Sequence, residues 1–358
     1  MTGKFDLVPL NDWGFFHLPP RPCVIAGPCS AESEAQVMET AEGLKKFGIN
    51  VYRAGIWKPR THPGSFEGVG TEGLKWLREV KNRYGMRTCT EVAGEKHVFE
   101  CIKYGIDMVW LGARTTANPF LVQEIAEALR DTDIPVLVKN PVNPDLDLWI
   151  GAFERLHAQG IRKLGAIHRG VSTSQKIKYR NAPEWNMVVE LRARHPEIPV
   201  FADPSHMAGK RDYLQELSQM AMDLGLEGLM VESHCDPSCA LSDAAQQLKP
   251  SELQNMLESL VIRDAATADE AFNDTLRELR AQIDVLDENL LFTLASRMKV
   301  SRQIGTLKKA NNIAIVQPGR WDAVLEKVAS SAAGYGLDPE FAKKLWNLIH
   351  EASVAQQN

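Results

Sequence analysis

The alternation of short β-rich runs with helical patterns between Cys23 and Ser233 is the feature that most restricts the fold. Eight such runs occur, at 23–27, 50–56, 86–92, 108–113, 135–140, 163–168, 199–204 and 228–233. Eight strand–helix units close a (β/α)₈ TIM barrel, an α/β fold that uses ~250 residues. The alternative is an open doubly wound sheet. The first turn lacks the G-x-G-x-x-G that dinucleotide binding in such a sheet requires.

The 358 residues exceed what one barrel needs, and the remainder predicts a second domain. We predict an N-terminal extension at 1–22, the barrel at 23–262, a linker at 263–268 and a small all-α domain at 269–358. Thr267 and Glu270 have capping-box spacing, so a helix of ~60 Å should run from there to about Ala310. Two shorter helices should begin near Pro318 and Pro339.

Apolar residues recur every three or four positions along the predicted long helix, at Leu276, Leu279, Ile283, Leu286, Leu290 and Leu294. A helix of this length exposes more apolar surface than one small domain can cover, so it needs partner helices. The sequence therefore predicts a three-helix domain that dimerises into a homodimer.

Charge and composition restrict the partners. The net charge of −5 argues against nucleic acid as the main partner. Neither a signal peptide nor a membrane span is visible, because residues 1–22 are interrupted by charged residues and prolines. A cytoplasmic protein is predicted, in which the six cysteines stay reduced.

A thiol, an imidazole and two carboxylates follow predicted strand ends, where barrel enzymes carry their chemistry. Cys29, His206, Glu232 and Asp243 are the set that we select as ligands of one divalent metal ion. Because thiolate disfavours Mg and Ca, the expected ion is of the Mn, Zn, Co or Fe type. A rival ligand set is His234, Cys235 and Cys239, whose spacing also suggests a metal site.

Positive charges lie at or just past the ends of predicted strands two, four, five and six. They are Arg53, Lys58, Arg60, Arg114, Lys139 and Arg169. Six cations on one rim would repel one another unless anions bind there, and Arg holds phosphate or carboxylate through its planar fork. The site should therefore accept more than one anionic group.

These motifs resemble the signature blocks of 3-deoxy-D-arabino-heptulosonate 7-phosphate (DAHP) synthase over residues ~20–260. The blocks are AGPCS, KPRTHPGSFEG, GAR, VLVKN, DPSH, GLMVESH and ALSDAAQQL. The resemblance implies that Cys29, His206, Glu232 and Asp243 bind the metal. It also implies phosphoenolpyruvate contacts from Arg53, Lys58, Ala113, Arg114, Lys139 and Arg169. Arg60 and Thr61 match contacts to erythrose 4-phosphate.

In that family, Lys58 would lie between the phosphoenolpyruvate carboxylate and the aldehyde of the sugar phosphate. One departure is His168, which stands where the family usually has Glu before Arg-Gly. The nearest alternative in the superfamily is the synthase of 3-deoxy-D-manno-octulosonate 8-phosphate. Its members carry an Asn-containing motif in place of Lys58-Pro59-Arg60-Thr61.

In the helical region, Arg297 and Lys308 are about three helical turns apart and share a face. Arg280 lies ~25 Å before Arg297 on the same helix, so a shared site requires a partner chain. These positions resemble the all-helical chorismate mutase over residues ~270–357. The resemblance implies that Arg280 of the partner chain binds a dicarboxylate and its ether oxygen together with Arg297, Lys308, Arg320, Ser353 and Gln357.

Gln317 and Trp321 depart from the Asp and Glu that usually flank this Arg, so weak mutase activity is expected. The alternative is that the helical domain only senses a ligand and dimerises. Fusion of the two domains in one chain also predicts feedback inhibition of the barrel by prephenate or chorismate.

Overall fold

The structure is a computed structural model. It describes residues 4–16, 22–58, 66–174, 176–263, 268–314 and 318–357, without the side chains of Pro318 and Arg320. The chain divides into two compact units, Met1–Ala265 and Ala266–Asn358.

In the described part of the first unit, eight parallel strands close into a barrel in which each strand pairs with the next and β8 pairs with β1. The strands are β1 Cys23–Gly27, β2 Val51–Arg53, β3 Arg87–Val92, β4 Met108–Leu111, β5 Val136–Lys139, β6 Leu164–His168, β7 Val200–Ala202 and β8 Gly228–Glu232. The predicted barrel is confirmed. The open sheet is wrong because β1 and β8 are hydrogen-bonded along their whole length.

Helices cover the outside of the barrel. They are α1 Glu34–Lys46, α2 Thr71–Tyr84, α3 Glu95–Tyr104, α4 Ala113–Thr116, α5 Pro119–Ala128, α6 Leu146–Ala158, α7 Trp185–Arg194, α8 Pro204–Ala208, α9 Leu214–Asp223 and α10 Pro250–Glu258. The strands read as continuous apolar runs because both of their faces are buried, one against helices and one against the barrel interior.

Residues before β1 close the N-terminal end of the barrel. A 3₁₀ helix, Leu10–Trp13, places Leu10, Trp13 and Phe16 in the apolar cluster of the barrel interior, which also contains Ile25 and Phe201. With that end filled by side chains, polar groups concentrate at the opposite end, where the strands finish.

The second unit contains three described helices, α11 Glu270–Ala310, α12 Pro318–Gly334 and α13 Pro339–Gln357. The long helix is confirmed, and its predicted cap, Thr267, lies outside the described residues. Asp269 caps the helix by accepting a hydrogen bond from the Phe272 amide at 3.1 Å. No described helix is both long and apolar enough to cross a membrane.

Candidate functional site

Three of the four predicted metal ligands meet at the C-terminal end of the barrel. Cys29 follows β1 and Glu232 ends β8, and the pairing of these two strands makes them neighbours. Asp243 lies in the loop after β8. One ligand atom each from Cys29, Glu232 and Asp243 lies within 4.8 Å of the others.

His206 adds an imidazole to this cluster from the first turn of α8. Its Nε2 atom lies 3.7 Å from Oε1 of Glu232, and its Nδ1 atom lies 2.8 Å from Oδ2 of Asp203. A carboxylate on one ring nitrogen orients the other toward a metal. Asp203 also caps α8 by accepting a hydrogen bond from the His206 amide at 3.1 Å.

The donor set fits a transition-metal ion. Glu232 is fully buried, and its Oε2 atom accepts a hydrogen bond from Gln246 at 2.7 Å. Its Oε1 atom is buried without a hydrogen-bond partner among the described residues. Burial, and then the negative charge of Glu232, raise the pKa of the Cys29 thiol to about 11. A thiolate here therefore needs a compensating cation, which a bound metal ion supplies.

The two carboxylates of the cluster are held ionised. Burial by itself would raise the pKa of each, but nearby positive charges outweigh it. His206 and Arg53 lower the pKa of Glu232, and His206 and Arg180 lower the pKa of Asp243 to about 2. Both groups are thus available as anionic ligands at neutral pH.

Two of the predicted cations contact the ligand cluster directly. Arg53 ends β2 with 1% exposure; its Nη2 atom donates to the Cys29 carbonyl at 3.1 Å, and its Nη1 atom lies 3.4 Å from Oε1 of Glu232. The Nζ atom of Lys58 donates to the Cys29 sulfur at 3.2 Å. The metal-ligand cluster and the cationic group therefore form one site.

The next two cations lie at the ends of β5 and β6. Lys139 is buried and donates to Oδ2 of Asp203 at 2.7 Å. Although burial would raise the pKa of Asp203, His206 and Lys139 hold it well below its ordinary value. The Arg169 side chain donates to Oδ1 of Asn181 at 2.9 Å. Asp203 thereby links the cationic side of the site to the metal-ligand side.

The remaining positions gather at the same rim. Ala113 and Arg114 form the first turn of α4, immediately after β4. Burial lowers the pKa of Arg169; the charge of Asp203 raises it, and the positive charges of Arg180 and Arg114 lower it further. Guanidinium groups close enough to repel one another make a favourable position for an anion. Arg60 and Thr61 lie outside the described residues, so their predicted contacts stay predictions.

His168 is a packed, neutral side chain. Its ring is fully buried next to Trp149 and Trp185, and Nε2 is hydrogen-bonded to the Pro183 carbonyl. Burial lowers its pKa to about 4. An uncharged imidazole replaces the carboxylate expected before Arg169, so no charged side chain at this position supports the site.

The rival ligand set does not form a site among the described residues. His234 accepts a hydrogen bond from the Asp236 amide at 3.0 Å on Nδ1, and its Nε2 atom faces Glu32 at 3.5 Å. Cys239 is exposed and donates to the Asp236 carbonyl at 3.2 Å. The Nδ1 atom of His234 is already hydrogen-bonded, and these side chains do not converge on a common point among the described residues.

Sequence reasoning missed some residues of this site. Arg180 donates to Oδ1 of Asp243 at 3.0 Å and to Gln246 at 3.1 Å, yet it belongs to none of the motifs. Gln247 accepts a hydrogen bond from the Cys29 amide at 2.9 Å. The two glutamines stand inside the ALSDAAQQL block and could have been found there. Arg180 had no local signal.

In the helical unit, the structure brings Arg297 and Ser353 together, with the guanidinium donating to the hydroxyl. Gln357 packs against Gly305, where an added Cβ would lie 2.8 Å from the Gln357 Cα. The Oε1 atom of Gln357 is buried without a described partner. Arg297 also lines a cavity of about 510 Å³ between α12 and α13. Ser353 and Gln357 are one turn apart on α13 and face α11.

The other predicted mutase residues are more scattered in one chain. Arg280 is exposed near the start of α11, and Lys308 lies in its last turn. The side chain of Arg320 and all of Gln317 lie outside the described residues. Trp321 stacks on His350 with ring centroids 3.8 Å apart. A single chain therefore assembles part of the predicted site.

A TIM barrel whose mouth combines a metal-ligand cluster with converging cations defines an enzyme that acts on anionic substrates. Residues 19–267 match the DAHP synthetase I family, and residues 279–358 match chorismate mutase type II. The chain belongs to the DAHP synthetase I family and carries a chorismate mutase type II domain after the barrel.

Individual relatives agree with this assignment. Phospho-2-dehydro-3-deoxyheptonate aldolase of Thermotoga maritima is 36% identical over 63% of this chain, and the match spans 64% of that relative's own length. A 2-dehydro-3-deoxyphosphooctonate aldolase of Legionella pneumophila is 28% identical over 67% of this chain and 91% of that relative. The crystal structure of the Thermotoga maritima DAHP synthase superposes with a TM-score of 0.61 and 34% identity, covering 66% of this chain and 67% of that one.

Proposed function

We propose that the barrel condenses phosphoenolpyruvate with erythrose 4-phosphate to DAHP and phosphate, and that the helical domain rearranges chorismate to prephenate. The observation that carries the first activity is the joining of Cys29, Glu232 and Asp243 to the cations Arg53 and Lys58 in one site. The proposed functional domains are residues 23–262 and 269–358. Both would work in the cytoplasm.

In the barrel, Cys29, His206, Glu232 and Asp243 would hold one divalent ion of the Mn, Zn, Co or Fe type. When bound, this ion would supply Lewis acidity to the aldehyde of erythrose 4-phosphate. Arg53, Lys139, Arg169 and the first turn of α4, Ala113 and Arg114, would bind the carboxylate and phosphate of phosphoenolpyruvate. Arg60 and Thr61 would bind the sugar phosphate.

Lys58 donates to the sulfur of Cys29, which brings its ammonium group next to the metal ligands. From there its ammonium group would orient the two substrates, with C3 of phosphoenolpyruvate directed at the aldehyde carbon. Restraint of both reactants in one geometry supplies much of the rate enhancement in a bimolecular reaction. The chain thus provides positioning and charge.

Purified protein given both substrates tests this activity through release of inorganic phosphate. We expect release only when both substrates are present, its loss with a chelator and its recovery with Mn²⁺. Arabinose 5-phosphate in place of erythrose 4-phosphate tests the octulosonate alternative. Faster turnover of arabinose 5-phosphate would assign the barrel to that reaction instead.

For the helical domain, the Arg297–Ser353 pair beside Gln357 supports binding of a dicarboxylate. The rearrangement of chorismate is unimolecular, so the site needs restraint of the reactive conformer and positive charge rather than a nucleophile. Trp321, stacked on His350, offers an aromatic face where a carboxylate would accept a hydrogen bond, so slow turnover is expected. Loss of chorismate absorbance measures it; chorismate binding without turnover would make the domain a sensor.

We further propose a homodimer through the helical domain and feedback inhibition of the barrel by prephenate. Arg280 is too far from Arg297 along α11 to reach the same small ligand within one chain, at ~25 Å. The apolar side chains of α11 are also exposed in the single chain; Ile283, Leu286 and Leu290 are 55%, 61% and 60% exposed. A partner helix would supply the arginine and cover this surface.

A further inference from the structure

Trp110 is a fully buried side chain on β4 at the centre of the barrel, directly below the anion-binding rim. Its indole nitrogen donates to Oε2 of Glu91 on β3 at 2.9 Å. Gly112 leaves the space for that carboxylate, because a Cβ at this position would lie 2.3 Å from Oε1 of Glu91. The orientation of the indole ring is therefore fixed from the neighbouring strand.

Two cations of the proposed phosphoenolpyruvate site lie against this ring. The guanidinium carbon of Arg53 is 4.8 Å from the ring centroid, and the Nζ atom of Lys139 is 5.8 Å from it. Both distances are within the range of a cation–π interaction, which is strongest for Trp and for desolvated cations. Arg53 and Lys139 are 1% and 4% exposed, so both charges are desolvated.

The two cations depend on this ring because other partners are few. The Nε and Nη1 atoms of Arg53 are buried without hydrogen bonds to the described residues. Arg53 and Lys139 come from different strands, and among the described residues each forms one ion pair with a carboxylate, that of Glu232 and Asp203 respectively. Among the described residues, the Trp110 ring lies against both of them.

We propose that Trp110 is a positioning residue, held by Glu91, whose ring fixes Arg53 and Lys139 in the arrangement that binds phosphoenolpyruvate. The proposal rests on the proposed condensation activity. A buried indole N–H group needs an acceptor in any case, but a ring that only filled the barrel core would not need cations against its face. As a positioning residue, Trp110 acts through Arg53 and Lys139 and does not itself contact the substrate.

The test compares Trp110→Leu and Trp110→Phe with a matched control, Trp149→Phe. Trp149 is also fully buried, and its substitution removes a hydrogen bond of similar length, from its indole nitrogen to the Val138 carbonyl at 3.1 Å. No cation of the described residues lies over its ring. The measurements are KM for each substrate, kcat, and the Kd of phosphoenolpyruvate by calorimetry on the Mn²⁺-loaded full chain. Thermal unfolding of each variant verifies folding.

We expect Trp110→Leu to raise the KM and Kd for phosphoenolpyruvate about tenfold, with the KM for erythrose 4-phosphate changed less than about twofold. Trp110→Phe keeps an aromatic face, so the logarithm of its Kd for phosphoenolpyruvate should lie about halfway between the wild-type and Trp110→Leu values. Glu91→Leu, which frees the indole nitrogen, should resemble Trp110→Phe.

Equal KM changes for both substrates in Trp110→Phe, or a phosphoenolpyruvate Kd no weaker than that of Trp149→Phe, would overturn the proposal. Neither result would affect the proposed function, because wild-type turnover is measured in the same assay. Absence of condensation by the wild-type chain would instead remove the proposed function. The Kd of phosphoenolpyruvate for each variant would then still show whether Trp110 positions the two cations.

Discussion

At the scale of single residues, Cys29 illustrates how position in the barrel determines the chemistry of a side chain. The chain has six cysteines, and Cys23, Cys29, Cys89 and Cys101 are all buried. Cys29 is distinguished by its neighbours, which are the carboxylates of Glu232 and Asp243 and the ammonium group of Lys58. Cys89, on β3, belongs to the apolar cluster of the barrel interior.

Cys29→Ser should therefore abolish condensation and lower the affinity for Mn²⁺ or Zn²⁺, while leaving chorismate turnover unchanged, because a hydroxyl is a poor replacement for a thiolate ligand. Phosphate release and metal content measure the two effects. Cys89→Ser is the matched control and should retain the metal. Full metal-dependent condensation by Cys29→Ser would show that the ligand set is wrong.

His168 gives a pH-dependent prediction. Its pKa is about 4 in the folded chain against an ordinary value of 6.5, so the unfolded chain binds the proton more readily. The stability contributed by neutral His168 is complete above pH ~6.5 and is lost as the pH falls toward 4, by about 3 kcal/mol in all. In His168→Gln, the urea concentration at the midpoint of unfolding should therefore depend less on pH between about 6.5 and 4.

The comparison uses the slope of the urea-unfolding midpoint against pH, because the substitution at His168 also changes packing at every pH. His157→Gln, at a partly exposed histidine on α6 whose pKa burial lowers to a smaller extent, is the control and should change the slope less than His168→Gln does. An unchanged slope in His168→Gln would mean that other groups cause the acid sensitivity of the barrel.

At the scale of elements, α11 is a long helix whose apolar side chains are only partly covered by its own chain. It makes contacts with α13 in the same chain, yet apolar residues on much of its length stay exposed. In the proposed dimer, an antiparallel partner helix would cover these residues and bring the partner's arginine next to Arg297.

Mixing of Arg280→Ala and Arg297→Ala chains tests this shared site. Each variant alone should lack mutase activity, but one of the two sites in a mixed dimer would carry neither substitution. Random exchange should then restore about a quarter of wild-type activity. Arg302→Ala is the control on the same helix and should stay active, since among the described residues the Arg302 side chain is hydrogen-bonded only to Gln356. No recovery in verified mixed dimers would place the site within one chain.

At the scale of the whole molecule, the chain joins two compact units, each with its own proposed ligand site. Two sites in one chain are the minimum requirement for allostery, and a ligand shifts activity only through different affinities for two states. For prephenate we expect a coupling of ~1 to 3 kcal/mol, which corresponds to a change of about 5- to 150-fold in the affinity of the barrel for its substrates.

Prephenate inhibition should therefore be present in the wild-type chain and absent both in Arg297→Ala and in a chain ending at Ile262. Phosphate release at increasing prephenate concentration is the measurement, and Arg302→Ala is again the control. Equal inhibition in all variants would place the effect at the barrel. No inhibition of the wild-type chain would contradict feedback altogether.

The sequence by itself determined the elements and their order. Eight apolar runs separated by helical periods define the barrel, and Pro318 and Pro339 mark the starts of two helices of the second unit. These signals are local, because apolar periodicity and capping depend on residues a few positions apart. The order of the strand-end motifs also placed Cys29, His206, Glu232 and Asp243 on one rim.

Only the tertiary structure decided which of these side chains meet. The contact between Arg180 and Asp243, the two cations on Trp110 and the protein partners of His234 each join residues from different strands or loops. Closure of the barrel between β1 and β8 brings Cys29 and Glu232 together across some two hundred residues of sequence. No local pattern records such a contact, since the geometry of the closed sheet fixes which strand ends face one another.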